Sequence, residues 1–211
     1  MTTLKSCHCS HELSQVLLAG MQEIVGQSGV MAALNTVSLM GSKDEALTYF
    51  EPGGDNLTFE GIVSLFKAME QLYGIRGGHG VVLRSGKAAF KYLLRRFGVQ
   101  MRLSELEYRL LPAPQRLKAG LVALGEILSL HCNTPVQVTE NESAWIWRMD
   151  QCPWCLGRQS EESGVCYFIT GLLQEYFSWV SGGRYYEVRE AECQAASGLA
   201  CVFQISKQPL D

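Results

Sequence analysis

The chain has 211 residues, of which 47% are hydrophobic and 18% charged, with a formal net charge of −3 at pH 7. That length suits one domain, or one domain with a large N-terminal extension, and the charge excludes the basic footprint of a general nucleic-acid binder. No apolar run approaches the ~18 residues of a membrane span, and the start, MTTLKSCHCSHELS, lacks the apolar stretch of a signal peptide. A cytoplasmic protein is therefore expected, with membrane contact limited to the periphery. Its eight cysteines then read as metal ligands or core thiols in a reducing compartment, not as disulfides.

Residues 1–10 read as a flexible tail. Cys7, His8, Cys9 and His11 crowd there, but termini seldom hold a rigid ligand set. Leu13, Val16, Leu17, Met21 and Ile24 recur at helical spacing up to Gly26, and a second short helix is expected from Val30 to Leu39. Glu51 to Asn56 is a turn cluster. Thr58 can cap a helix from Phe59 to Tyr73. The glycine-rich Gly74 to Gly80 lacks the Lys-Ser/Thr of a phosphate loop and reads as a connection. Val81 to Gly86 then looks like a short strand feeding a helix from Lys87 to Phe97, whose Lys87, Lys91, Arg95 and Arg96 form a basic, solvated face. After the break at Leu111-Pro-Ala-Pro, Leu117, Leu121, Leu124, Ile127 and Leu128 define an amphipathic helix ending near His131 and Cys132.

The last third reads differently. Val136 to Glu140 and Ala144 to Met149 are expected strands joined by a turn at Asn141-Glu142. Trp145 and Trp147, two apart, share one face of the second strand. A loop carrying Cys152-Pro-Trp-Cys155 follows, then a helix from Val165 to Val180, then two strands, Arg184 to Cys193 and Leu199 to Ile205. The order is an α+β layer pattern: an antiparallel sheet packed against helices. It divides the chain into a tail (1–10), a helical N-terminal part (11–134) and a C-terminal domain (135–211).

Five cysteines and Glu190 fall in this C-terminal region, and thiolates gathered with a carboxylate make a tetrahedral zinc site. Cys193 and Cys201 can face each other across a hairpin, Glu190 lies one strand-step back, and a helix start can deliver Cys166. The Cys-x-x-Cys pair offers a rival four-thiolate set, Cys152, Cys155, Cys193 and Cys201. Metal-free core thiols and a redox Cys-x-x-Cys are further readings. With all four positions filled by protein, the zinc would be structural.

Glu-x-x-Cys, seven residues, Cys, with an upstream Cys at a helix start, resembles the 4-vinyl reductase-type domain over about residues 140–206. That family includes a protein linked to bacteriochlorophyll synthesis and the sensory domains of phenol-responsive activators, and its fold is similar to that of TRAPP subunits. The resemblance implies that Cys166, Glu190, Cys193 and Cys201 form a zinc set, and that Trp145 occupies a ligand-pocket position. Two features depart from the pattern. The hairpin turn carries Ser197-Gly198 where the family often has Gly-Asp, and no histidine stands at the position that receives a phenol hydroxyl.

The expected function is that of a non-catalytic module binding an apolar or aromatic small molecule, braced by zinc, with Trp145, Trp147, Phe168, Tyr176 and Tyr186 as candidate pocket residues. The resemblance implies a tetrapyrrole or chlorophyll intermediate as ligand in a photosynthetic setting, with a role in pigment delivery, photosystem assembly or sensing through a partner protein. A scaffold subunit forming a homodimer is the alternative. A vinyl reductase fits less well, because hydride transfer needs a nicotinamide or flavin and no strand–GxGxxG–helix unit is present.

Overall fold

A computed structural model describes residues 8–36, 57–160 and 164–210. The Glu51 to Asn56 turn, Cys7 and the end of the expected helix to Leu39 lie outside them. Its helices are α1 (His11–Thr36), α2 (Phe59–Tyr73), α3 (Ile75–Phe97), α4 (Leu106–Leu110), α5 (Ala113–Cys132) and α6 (Tyr167–Ser181). The strands are β1 (Val136–Glu140), β2 (Ala144–Met149), β3 (Tyr186–Glu192) and β4 (Cys201–Pro209). The strands form one antiparallel sheet in the order β1-β2-β4-β3. The expected α+β class, with an antiparallel sheet against helices, is what forms.

Local chemistry explains most boundaries. Gly26 breaks α1 at φ 73°, ψ 166°, a backbone geometry that glycine reaches without strain. Thr58 Oγ1 accepts a hydrogen bond from the Gly61 N–H at 3.0 Å and caps α2. Asn141 Oδ1 accepts from the Ser143 and Ala144 N–H groups and closes the β1–β2 turn. In β2 and β4 the inward residues face one another across the ladder, Trp145 with Ile205, Trp147 with Phe203 and Met149 with Cys201. All six are buried.

The segment expected as a strand at 81–86 is instead the middle of α3, and most of the glycine-rich stretch before it forms that helix's first turns. β-Branched Val81 and Val82 suggested a strand, but tertiary packing overrides that weak preference. Gly78, Val82, Ser85, Gly86 and Ala89 recur at helical spacing and are buried. They let neighbouring helices approach closely. A Cβ at Gly86 would overlap the Phe168 carbonyl, and one at Gly171 would overlap the Leu83 carbonyl, so α3 and α6 cross backbone to backbone. A Cβ at Gly20 would lie 2.6 Å from the Ser85 carbonyl oxygen, where α1 crosses the same helix. α3 is the central helix of the fold. On its basic side Lys91 pairs with Glu23 at 2.5 Å and Arg96 with Glu12 at 3.3 Å, so part of the expected solvated face fastens α1. The short α4 went unmarked in the sequence pattern: it has five residues, none of them buried, and five residues are too few for a periodicity to register.

One expectation about the cysteines is overturned. Cys9 and Cys132 form a disulfide, with Cα atoms 4.1 Å apart and 123 residues between them in sequence. The backbone brings them together: the Ser10 N–H donates to the His131 carbonyl at 2.6 Å, and Ser10 Oγ meets His131 Nδ1 at 2.7 Å. The tail cysteine and the cysteine at the end of α5 thus clamp the start of α1 to α5.

Candidate metal centre

Five free cysteines, Cys152, Cys155, Cys166, Cys193 and Cys201, are all buried and come together at the end of the sheet where β4 begins. Each arrives for a local reason. Cys201 opens β4 in the inward phase it shares with Phe203 and Ile205. Along β3 the inward residues are Tyr186, Val188 and Glu190, a strict period of two. A register shift between Glu190 and Glu192 then inserts one residue, as a β-bulge does, and turns Cys193 inward as well. The Glu-x-x-Cys spacing is therefore a strand with a bulge. Cys166 stands at the N-cap of α6, where the helix dipole favours a thiolate. Its N–H donates to Glu190 Oε2 at 2.9 Å.

The Cys152/Cys155 loop is held in place by residues that the sequence reading passed over. Gln194 Oε1 accepts from the Cys152 N–H at 3.0 Å, while its Nε2 donates to the Asp150 carbonyl at 2.7 Å. Arg158, almost fully buried, donates to Glu70 at 2.6 Å, and His79 meets the same Glu70 oxygen at 3.1 Å. Trp154 stacks on Phe168 with ring centroids 5.2 Å apart. Gly164 is the remaining requirement, since a side chain there would overlap the Glu190 carboxylate. A lone Gln, Arg or Gly in a loop carries no periodic signal, so only the contacts reveal these roles.

Sulfur separations match a shared metal. Tetrahedral zinc with Zn–S near ~2.3 Å puts its sulfurs about 3.8 Å apart. The observed pairs are Cys152–Cys166 at 3.5 Å, Cys155–Cys201 at 3.4 Å, Cys166–Cys201 at 3.7 Å and Cys193–Cys201 at 3.9 Å. Two four-donor sets have all their ligand atoms within 4.8 Å of one another: Cys152, Cys155, Cys166 and Cys201, and Cys166, Glu190, Cys193 and Cys201. The second is the Glu190-containing set expected from the sequence, brought together as a geometry able to hold a metal. The rival four-thiolate set is corrected in one member. Cys166 takes the place of Cys193 in the four-thiolate set whose sulfurs all lie within 4.8 Å of one another.

Without metal the cluster is electrostatically costly. Burial pushes the Cys152 thiol up and the Cys166 thiol far up, whereas hydrogen bonds from neighbouring thiols, Cys152 first, hold Cys155 down. Glu190 Oε1 is buried with no hydrogen-bond partner, and burial raises this carboxyl from 4.5 to about 8. Between those values Glu190 is protonated in the folded metal-free chain and ionised in the unfolded one. The stability that Glu190 contributes is therefore fullest below about 4.5 and is lost as pH rises through 8. Cys193, lowered to about 6, works in the opposite direction above that value. Metal loading reverses the slope, because protons compete with the ion for the same donors. Melting chelated and reloaded protein, each beside its Glu190→Gln variant, at about pH 5.5 and about pH 8 checks this: a slope in the chelated form that Glu190→Gln leaves unchanged would remove Glu190 from the site.

The segment that carries the bulge, the helix-start cysteine and the hairpin decides the family comparison. Residues 145–207 match the 4-vinyl reductase domain. The resemblance to that domain is thereby confirmed over β2, the cysteine loop, α6, β3 and β4. No curated protein matches the chain by sequence. Among solved structures the chain is similar to an Fe(II) unliganded H-NOX protein from K. algicida, with TM-score 0.58, 10% identity and coverage of 96% of this chain and 98% of that one. An H-NOX protein from S. oneidensis in the Fe(II)NO ligation state gives TM-score 0.58 at 11% identity, covering 93% and 99%. An H-NOX mutant from T. tengcongensis gives 0.57 at 13% identity, covering 94% and 97%. At these identities the likeness concerns the fold, and it extends beyond the 4-vinyl reductase segment to the N-terminal helices.

The five aromatic residues named as pocket candidates all lie in the core of this fold. Trp145 packs on Phe177 at 5.4 Å and on Tyr186 at 6.4 Å, Tyr176 on Phe177 at 5.0 Å, and Phe168 between Trp154 and Phe66. Trp147 is fully buried in β2. Tyr176 Oη donates to the Leu117 carbonyl at 2.6 Å, tying α6 to α5. An opening lies beyond them, at the C-terminal end of α6. There a groove of about 600 Å³ runs between Leu94, Val99, Leu103, Trp179 and Val180, with Tyr108, Arg109 and Arg116 on its polar side. Among the described residues no helix is long and apolar enough to cross a membrane.

Proposed function

We propose that the chain is a small-molecule-binding domain of sensor type, braced by zinc at the cysteine cluster and acting through a partner protein. The groove beside Trp179 carries this reading. Its walls are mostly apolar, and Arg116 lies in it with a buried Nε that makes no hydrogen bond and an Nη1 that donates to the Arg109 carbonyl at 3.4 Å. An apolar cleft lined by two arginines, Arg109 and Arg116, suits an elongated apolar molecule bearing a carboxylate. A tetrapyrrole with acidic side chains meets that description, and pigment delivery is the setting in which such a ligand would serve. The aromatics expected as pocket residues, Trp145, Trp147, Phe168, Tyr176 and Tyr186, are core residues that do not line this groove.

Helix α6 supports the sensor element. Its last turns, with Trp179 and Val180, border the groove, and its N-cap is Cys166 in the cluster. A rigid helix spanning both sites is a physical connection along which ligand binding can bias the metal end. We take from the H-NOX structures their fold and not their iron.

Two probes test the proposal, protoporphyrin IX and a long-chain fatty acid, with equilibrium dialysis of the probe as readout. We expect saturable binding that Arg116→Ala and Trp179→Ala each weaken about tenfold or more. Failure of both probes, together with a protein that is colourless and free of extractable apolar compounds when purified from its host, would overturn the ligand reading. The scaffold alternative has one observation in its favour: Val99, Leu106 and Leu110 are 88%, 69% and 73% exposed beside the groove. A homodimer would cover them, and light scattering that finds a monomer counts against it.

A further inference from the structure

The two four-donor sets at the cysteine cluster overlap in Cys166 and Cys201, while Cys152 and Cys155 belong to one alone and Glu190 and Cys193 to the other. We propose that the site is binuclear: two divalent metal ions share the Cys166 and Cys201 thiolates as bridges, one completed by Cys152 and Cys155, the other by Glu190 and Cys193. This rests on the metal reading above and adds a second ion to it.

Three observations support it. Cys166 and Cys201 lie 3.7 Å apart, the edge length of one zinc–thiolate tetrahedron, so two tetrahedra can share that edge. Cys152 approaches Cys166 and Cys155 approaches Cys201 on one side, at 3.5 and 3.4 Å, while Cys193 approaches Cys201 at 3.9 Å in the other set. The terminal donors thus divide into pairs. A single ion in either set would also strand buried donors. On the four thiolates it would leave Glu190 Oε1, which is buried without a hydrogen-bond partner, still without one. On the Glu190 set it would leave Cys152 and Cys155 buried without function.

Charge favours the same arrangement. Two divalent ions on five thiolates and a carboxylate leave the same residual negative charge as one ion on four thiolates, so the second ion brings two more buried anions at no added net charge. A bridging thiolate has lone pairs enough for two metals, whereas a carboxylate at the bridge position would not hold the sulfur-like edge. A cubane iron–sulfur cluster is disfavoured by the separations: its cysteine sulfurs sit on different irons, and they cannot all lie as close as those of a single tetrahedron.

The test uses the full chain produced with zinc and desalted, with metal analysis and native mass spectrometry on the same sample. Two zinc ions per chain are expected. After exchange to cadmium-113, two resonances split by mutual coupling through the shared sulfurs are expected. The double variant Cys152→Ser/Cys155→Ser should retain one ion and give a single unsplit resonance, and Glu190→Gln/Cys193→Ser should do likewise on the thiolate side. One ion per parent chain overturns the binuclear site and leaves the single-metal brace standing. Two ions without cadmium–cadmium coupling overturn the shared edge. No ion in the parent protein overturns the metal reading altogether. The parent measurements decide the question even where a variant fails to fold.

Discussion

Cys166→Ser is expected to strip the protein of metal, whereas Cys155→Ser and Cys193→Ser each leave one complete donor set. Cys166 belongs to both four-donor sets, while its backbone N–H bond to Glu190 survives the substitution. Serine at this N-cap supplies an oxygen suited to capping but is a poor ligand for zinc beside thiolates. Metal binding to a site that does not exist in the unfolded chain contributes directly to folding free energy. Its loss should remove several kcal/mol, of the order of half the ~5–15 kcal/mol that holds a domain of this kind together. Metal content and the thermal midpoint are the readouts. Retention of metal by the Cys166→Ser protein would mean that the donors are grouped otherwise.

The second large effect concerns the helix crossing that carries α6 to the cluster. Gly171→Leu should destabilise the fold by at least about 3 kcal/mol, at the upper end of overpacking costs, because the new side chain meets the Leu83 carbonyl and not a movable side chain. For a chain of this size that corresponds to a drop in midpoint of roughly 6–12 °C. Gly86→Ala strikes the same crossing from the opposite helix, against the Phe168 carbonyl. Once one substitution has separated α3 from α6, the second meets less resistance, so the double variant should cost less than the sum of the two. Strict additivity would show that the two contacts yield independently.

Those two predictions separate what could be read in advance from what could not. The sheet strands, α2, α5 and α6 were legible to within a few residues, because alternation and helical spacing are local and the turn residues Asn141 and Gly182 mark ends. α3 was misread over Val81 to Gly86. Its branched residues favour a strand locally, and the close approach of α1 and α6 that decides for helix is invisible in a single stretch of sequence. The cysteine pairing failed in the same way. Cys9 and Cys132 are 123 residues apart, and only the docking of α1 on α5 makes them neighbours.

Sequence alone determined the α+β class, the 4-vinyl reductase spacing and the gathering of Cys166, Glu190, Cys193 and Cys201, because Glu190, Cys193 and Cys201 lie on or beside two adjacent strands and Cys166 at a helix start, where local geometry controls direction. Tertiary structure decided the rest. It placed the Cys152/Cys155 loop against Cys166 through Gln194 and Arg158, packed the five aromatics into the core, and left the opening at Trp179. Those outcomes depend on which surfaces meet once the helices dock, and a residue's partner across an interface is set by the whole packing and not by its neighbours in sequence.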